Sequence, residues 1–242
     1  MLENRTVSST REALVQGTAD RMVAAIDDAV GAAGWCFIAL AGGSTPREVY
    51  AELARRSATG KIPWQGVHLF WGDERSVPPD HPDSNFRMVQ ESLLAHIEIP
   101  AENVHRMLGE LAPDAAATDY ERTIRDAFPQ QPARFDFVLL GMGDDGHTAS
   151  LFPGTTALDE REKEVTAVFV PKLETWRITL TYPVLNRAKM ICLLVAGHSK
   201  ADMLQHLAQL PGPTPEFPVT QLNPQHGELH WLLDSEAAHS LK

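Results

Sequence analysis

Two cysteines are all that the 242 residues contain, Cys36 and Cys192, and each sits inside an apolar, strand-like run. That placement speaks against a disulfide framework or a metal pair and predicts two buried free thiols. Long hydrophobic runs are also missing. None approaches the ~20 residues that a membrane-crossing helix needs. The first residues, MLENRTVSSTREALVQ, lack an apolar signal core, so a cytoplasmic protein that stays off the membrane is expected. Cations are scarce, with 21 Lys and Arg against 32 Asp and Glu and a formal net charge of −11. No basic stripe appears anywhere, which argues against nucleic acid as a partner. An acidic chain can still hold an anionic metabolite, but only by gathering its few cations in one place. Repeats and low-complexity tracts are absent. The remaining composition, 43% hydrophobic and 22% charged, is that of an ordinary globular protein. The length suits one full core, and a single domain over residues 1–242 is expected.

Strand and helix patterns alternate along the chain. Leu14, Val15, Met22, Val23, Ile26 and Val30 recur at helical spacing, which predicts a helix over residues 11–33 ending at Gly34. A buried strand over 35–41 runs into GGSTP (42–46) and a helix from about Arg47. A strand over 67–71 ends in GDER (72–75), and a loop over 78–82 leads to a helix over 85–96. Pro113 can occupy the first turn of a helix reaching Phe128. Further strands are read at 135–140, 165–170, 178–181, 190–196 and 229–233, with a helix over 199–210. The proline-rich LPGPTPEFP (210–218) reads as a surface loop. The alternation predicts a doubly wound α/β fold, a mainly parallel sheet with helices on both faces.

The most informative segment is FDFVLLGMGDDGHTASLFPG (135–154). A buried strand feeds a turn with glycines at 141, 143 and 146, two acids, and His147. Open α/β folds bind ligands at the carboxyl ends of their strands, and this turn would sit there. Gly141, Gly143 and Gly146 match G-x-G-x-x-G, but mid-chain, and Asp144 and Asp145 would repel a pyrophosphate. Gly141, Gly146 and Thr148 approach a nucleotide P-loop, but His147 stands where its lysine must be.

GGSTP resembles a nucleophile elbow, with a conceivable triad of Ser44, an aspartate and His147. Pro46 replaces the final glycine, however, and a Ser-Thr pair before a proline also suits a helix N-terminus, either as a cap or as an anion site. Asp145, His147, Asp73 and Glu74 could meet at a metal, without recognisable ligand spacing. His226 and His230 flank Glu228 in a turn and read as a surface loop. Arg75, Arg177 and Lys200 fall at element ends, where they could converge with GGSTP on a phosphate.

These motifs carry a resemblance. GGSTP, WGDERSVPPDHPDSN (71–85), GMGDDGHTASLFPG, RITLTYPVLN (177–186) and GHSK (197–200) occur in the order of the 6-phosphogluconolactonase family, in the superfamily shared with glucosamine-6-phosphate deaminases. They span most of the chain. One departure is visible: the family's proline-rich lead into RITLT is PKLETW (171–176) here, which leaves Arg177 in register but weakens the case for Lys172 as a ligand. The resemblance implies a modified Rossmann-like α/β domain and hydrolysis of 6-phospho-D-glucono-1,5-lactone to 6-phosphogluconate, without cofactor or metal. By position it implies His147 as the water-activating base with Asp145 beside it. It implies Gly43, Ser44, Thr45, Asp73, Arg75, Arg177 and Lys200 as the groups that bind phosphate and sugar. A monomer or weak homo-oligomer is expected.

The chemistry agrees. A δ-lactone is an activated ester, so hydrolysis needs a positioned water, a base and stabilisation of the oxyanion, with no covalent intermediate. An imidazole with an ordinary pKa near ~6.5 suits general-base work at neutral pH. Donors from the glycine turn or an arginine could meet the oxyanion. The isomerase and deaminase relatives carry a glutamate five residues after the histidine, where this chain has Phe152, which cannot shuttle protons. A non-catalytic sugar-phosphate sensor would carry a helix-turn-helix segment and a basic face, and neither is present.

Overall fold

The computed structural model describes residues 2–60 and 62–241. Among them the chain runs β1 (Arg5–Ser8), α1 (Arg11–Ala33), β2 (Cys36–Leu40), α2 (Ser44–Ser57), β3 (Val67–Trp71) and β4 (Asp73–Arg75). It continues α3 (Asn85–Ser92), β5 (Val104–His105), α4 (Pro113–Ala127), β6 (Phe137–Leu140), β7 (Val165–Val170) and β8 (Thr175–Leu180). The last elements are α5 (Tyr182–Leu185), β9 (Met190–Val195), α6 (Ala201–Gln209) and β10 (Glu228–Asp234). Local chemistry explains their ends. The Thr10 side chain caps α1 by accepting the Ala13 N–H, and Gly34, left-handed at φ 84°, closes it by donating to the Val30 carbonyl.

Seven strands form one parallel sheet in the order β1-β10-β9-β6-β2-β3-β5. Both faces must be covered in such a sheet, and β2 and β6 are accordingly buried at every residue. Cys36 and Cys192 are buried and unpaired, as expected. No helix among the described residues is long and apolar enough to cross a membrane.

The alternation of strand and helix breaks after β3, which runs directly into β4, and again after β6. β7 and β8 follow each other without a helix and form, with β4, a separate three-stranded antiparallel sheet in the order β4-β8-β7. A tight turn can join only antiparallel neighbours, so these two strands could not extend the parallel sheet. Periodicity also missed β1, β4 and β5, which are too short to carry a pattern. α3 ends at Ser92, and Leu94–His96 forms a separate 3-10 turn. His198–Lys200 likewise precede α6 as a 3-10 turn.

At the β3–β5 edge two imidazoles share a hydrogen bond, His68 Nδ1 to His105 Nε2 at 3.1 Å, with rings stacked 5.4 Å apart. Burial, and then the neighbouring His68, push His105 down to about 4. An unfolded histidine protonates near ~6.5, so between those two values the unfolded chain binds more protons than the folded one. Stability is therefore expected to fall as pH drops from about 6.5 towards 4, by roughly 1–2 kcal/mol for this partly exposed group. Urea unfolding of wild type and His105→Leu at pH 7.5 and 4.5 checks it. The variant should lose less on acidification, and equal losses would clear the pair of any such role.

Candidate active site

β2 and β6 lie side by side, but the chain leaves β2 towards β3 and leaves β6 towards β9, in opposite directions across the sheet. The carboxyl ends of two strands that diverge this way leave a crevice between their loops. The loops are Ala41-Gly42-Gly43, entering α2, and Gly141-Met142-Gly143, entering the DDGH turn. A cleft of about 290 Å³ opens there, lined by Gly42, Gly43, Asp73, Arg75, His147 and Lys200 among others. Larger surface hollows, one of about 650 Å³ between α2 and α3, lack this convergence of charged groups on strand ends.

Two glycines make the cleft possible. A Cβ on Gly143 would lie 2.0 Å from His147 Nδ1, and one on Gly42 would lie 2.0 Å from Asn85 Oδ1. Gly143 thus lets the imidazole fold back over the turn. Gly42 lets Asn85 reach across and donate from Nδ2 to the Asp73 carbonyl at 2.9 Å.

The turn holds His147 from three sides. Nδ1 lies 2.5 Å from Asp145 Oδ1, one ring face stacks on Phe152 with centroids 3.9 Å apart, and the His147 carbonyl accepts the Gly143 N–H at 2.9 Å. Burial disfavours ionisation of Asp145, but hydrogen bonds from Lys172 and His147 outweigh it and hold the carboxyl at about 2. An ionised Asp145 makes Nδ1 the protonated nitrogen, so Nε2 is the free acceptor. Ala149, next but one, sits in the left-handed region at φ 48°, a strained conformation for a residue with a Cβ.

The cations come from three other elements. Arg75 on β4 and Arg177 on β8 are register partners in the antiparallel sheet. Burial first, then the charge of Arg75, pulls the Arg177 guanidinium below its ordinary range. Arg75 Nη1 donates to the Asp83 carbonyl at 2.6 Å, while its buried Nε has no partner. Two guanidiniums held side by side are an arrangement that a phosphate dianion would relieve. Lys200 pairs with exposed Asp144 across the cleft mouth.

The predicted residues do not all face the cleft. Gly43, Asp73, Arg75, His147 and Lys200 line it; Asp145 stands behind the imidazole, and Arg177 beside Arg75. Ser44 is exposed and its hydroxyl makes no hydrogen bond among the described residues, so no triad contact exists. The Thr45 hydroxyl instead accepts from Arg11 at 3.1 Å, and Arg11 also grips Glu48. Glu74 turns away from any metal role. Its oxygens accept from the backbone of Arg75, Asn85 and Phe86 and from the Ser84 hydroxyl, pinning the start of α3. Two N–H groups of the glycine turn are spent internally, Gly143 on His147 and Gly146 on Gly143, so neither can cradle an anion.

Other contributors carried no sequence signal of their role. Ser150 donates to Asp73 Oδ2 at 2.7 Å, tying the DDGH turn to β4. Phe217, in the loop read as mere surface, packs on Gly146, whose carbonyl accepts the Val219 N–H at 2.9 Å. Gly146 is left-handed at φ 73° and a Cβ there would press on that ring.

Comparison with known proteins places these features in company. The family model for glucosamine-6-phosphate isomerases/6-phosphogluconolactonase matches residues 9–231. The chain is 42% identical over 236 residues to the 6-phosphogluconolactonase of a Nostoc species, covering 95% of this chain and 94% of that one. It is 40% identical over 239 residues to the 6-phosphogluconolactonase of Mycobacterium tuberculosis, covering 94% of each. Among solved structures, the 6-phosphogluconolactonase of Thermotoga maritima superposes with a TM-score of 0.80 at 30% identity, over 95% of this chain and 99% of that one.

Proposed function

The chain belongs to the glucosamine-6-phosphate isomerase/6-phosphogluconolactonase family, and from that premise we propose that it opens a sugar-phosphate lactone with a water deprotonated by His147. The reaction is hydrolysis of 6-phospho-D-glucono-1,5-lactone to 6-phospho-D-gluconate, the second step of the oxidative pentose phosphate pathway. The observation that carries the mechanism is the Asp145–His147 pair, with Nδ1 committed to the carboxylate and the ring lining the cleft.

His147 Nε2 takes a proton from water as the oxygen attacks the lactone carbonyl. The tetrahedral adduct collapses with loss of the ring oxygen, which the imidazolium reprotonates. Ionised Asp145 orients the ring and stabilises that imidazolium. The first-turn N–H groups of α2 behind Gly43 supply positive potential for the oxyanion. Arg177, Arg75 and Lys200 take the phosphate, and Asp73 a sugar hydroxyl. Ser44 and Thr45 contribute through the backbone at the helix start, since the Thr45 hydroxyl is committed to Arg11. Phe152 speaks against the isomerase and deaminase chemistry of the wider family, because an apolar ring on the imidazole face cannot carry a proton.

The protein acts in this reading as a single cytoplasmic domain, monomeric or weakly self-associated, without cofactor, metal or nucleic acid. The direct test is acid release from freshly made phosphogluconolactone above the spontaneous rate. Activity should survive exhaustive chelation. Loss that a divalent ion restores would refute the metal-free mechanism.

A further inference from the structure

The tip of the β7–β8 hairpin returns to the active-site turn through one lysine. Pro171–Leu173 form a single 3-10 turn, closed by the Glu174 N–H donating to the Pro171 carbonyl at 3.2 Å. Glu174 ends it in the left-handed region at φ 48°, a conformation that costs free energy for a residue with a side chain. From this turn Lys172 Nζ donates to Asp145 Oδ2 at 2.7 Å. Asp145 Oδ1 meanwhile holds His147 Nδ1. The carboxylate is thus gripped at both oxygens, on one by a lysine 27 residues further along the chain and on the other by its own turn. Lys172 itself is not among the residues lining the cleft, and its side chain is 62% exposed.

We propose that Lys172 is a positioning residue for the hydrolysis: it fixes the Asp145 carboxylate against His147 and offsets its charge, which keeps the imidazole available as a base. The inference rests on His147 as the general base. A carboxylate alone beside an imidazole favours the protonated ring, which cannot accept a proton from water. An ammonium on the far oxygen opposes that pull and holds the carboxylate in place. The other charges around the ring are Asp144 with Lys200, Asp73 and Arg75 from β4, and Arg177 from β8. None of them is hydrogen-bonded or ion-paired to Lys172, and Asp144 lies near enough to feel its charge.

The test uses Lys172→Met and Lys172→Arg in the full chain, with pH profiles of kcat on phosphorylated and unphosphorylated gluconolactone. NMR titration of the His147 ring protons runs alongside. Lys172→Met should move the acid limb upward by about half a pH unit, a loss of roughly threefold on the limb with little change on the plateau. The shift should shrink at ~1 M salt, where exposed charges are screened. Lys172→Arg should restore the wild-type profile, and both lactones should respond alike. An unmoved limb and an unmoved NMR midpoint would overturn the proposal. A rise in KM for the phosphorylated lactone alone would also do so, by making Lys172 a phosphate ligand. The NMR midpoint reports on the imidazole whatever the turnover, so it still judges Lys172 if His147→Asn retains activity and the base assignment itself fails.

Discussion

His147→Asn is expected to lower turnover by about 10²-fold or more while leaving the fold and most of the substrate affinity intact. The amide can still donate to Asp145, so the turn keeps its hydrogen bond, but it cannot accept a proton from water at neutral pH. Wild-type turnover should fall on the acid side as the imidazole protonates, and this limb should vanish from the residual rate of the variant. Asp145 does not compete for that assignment, because Lys172 and His147 keep it ionised down to about 2, far below the working range. The measurement is kcat and KM against pH with freshly prepared lactone, alongside circular dichroism of both proteins. Near-normal turnover from a folded variant would reduce His147 to a residue that packs on Phe152 and caps the turn.

Arg177→Ala and Lys200→Ala are expected to cost roughly 10- to 150-fold in kcat/KM on the phosphorylated lactone, the worth of one charge-assisted contact at about 1.5–3 kcal/mol. Unphosphorylated gluconolactone should be hydrolysed nearly as well as by wild type. Folding should not suffer. The Arg177 guanidinium makes no hydrogen bond among the described residues and stands beside Arg75, so its removal relieves a like-charge contact. Lys200 surrenders only a pairing with Asp144, whose side chain is 72% exposed, and such pairs contribute little. Equal losses on both lactones would show that these cations serve the reacting end of the substrate instead of its phosphate.

Much of this was legible beforehand because it is written in local pattern. The helix over 11–33 has its apolar stripe and its terminal Gly34, and the structure ends α1 there. The strands of the parallel sheet are short apolar runs between turn residues, and their alternation with helices leaves few topologies. Pairing was less legible. β7 and β8 look like any other strands, and only their direct succession hints that they form a second sheet.

Within the site, the sequence by itself determined the chemistry at hand: an acid and a histidine two residues apart on a glycine-rich turn after a buried strand. Spacing that short leaves little freedom, so Asp145 and His147 had to be neighbours. Tertiary structure decided everything that depends on distant segments meeting. It set Arg177 beside Arg75 through an antiparallel register and brought Lys172 back to Asp145. It spent Thr45 on Arg11 and Glu74 on the start of α3. A motif names which groups are available. Whether a hydroxyl or a carboxylate stays free for a ligand depends on which hydrogen-bond partner the fold delivers to it first, because a buried polar group left unpaired is costly and one already paired is spent.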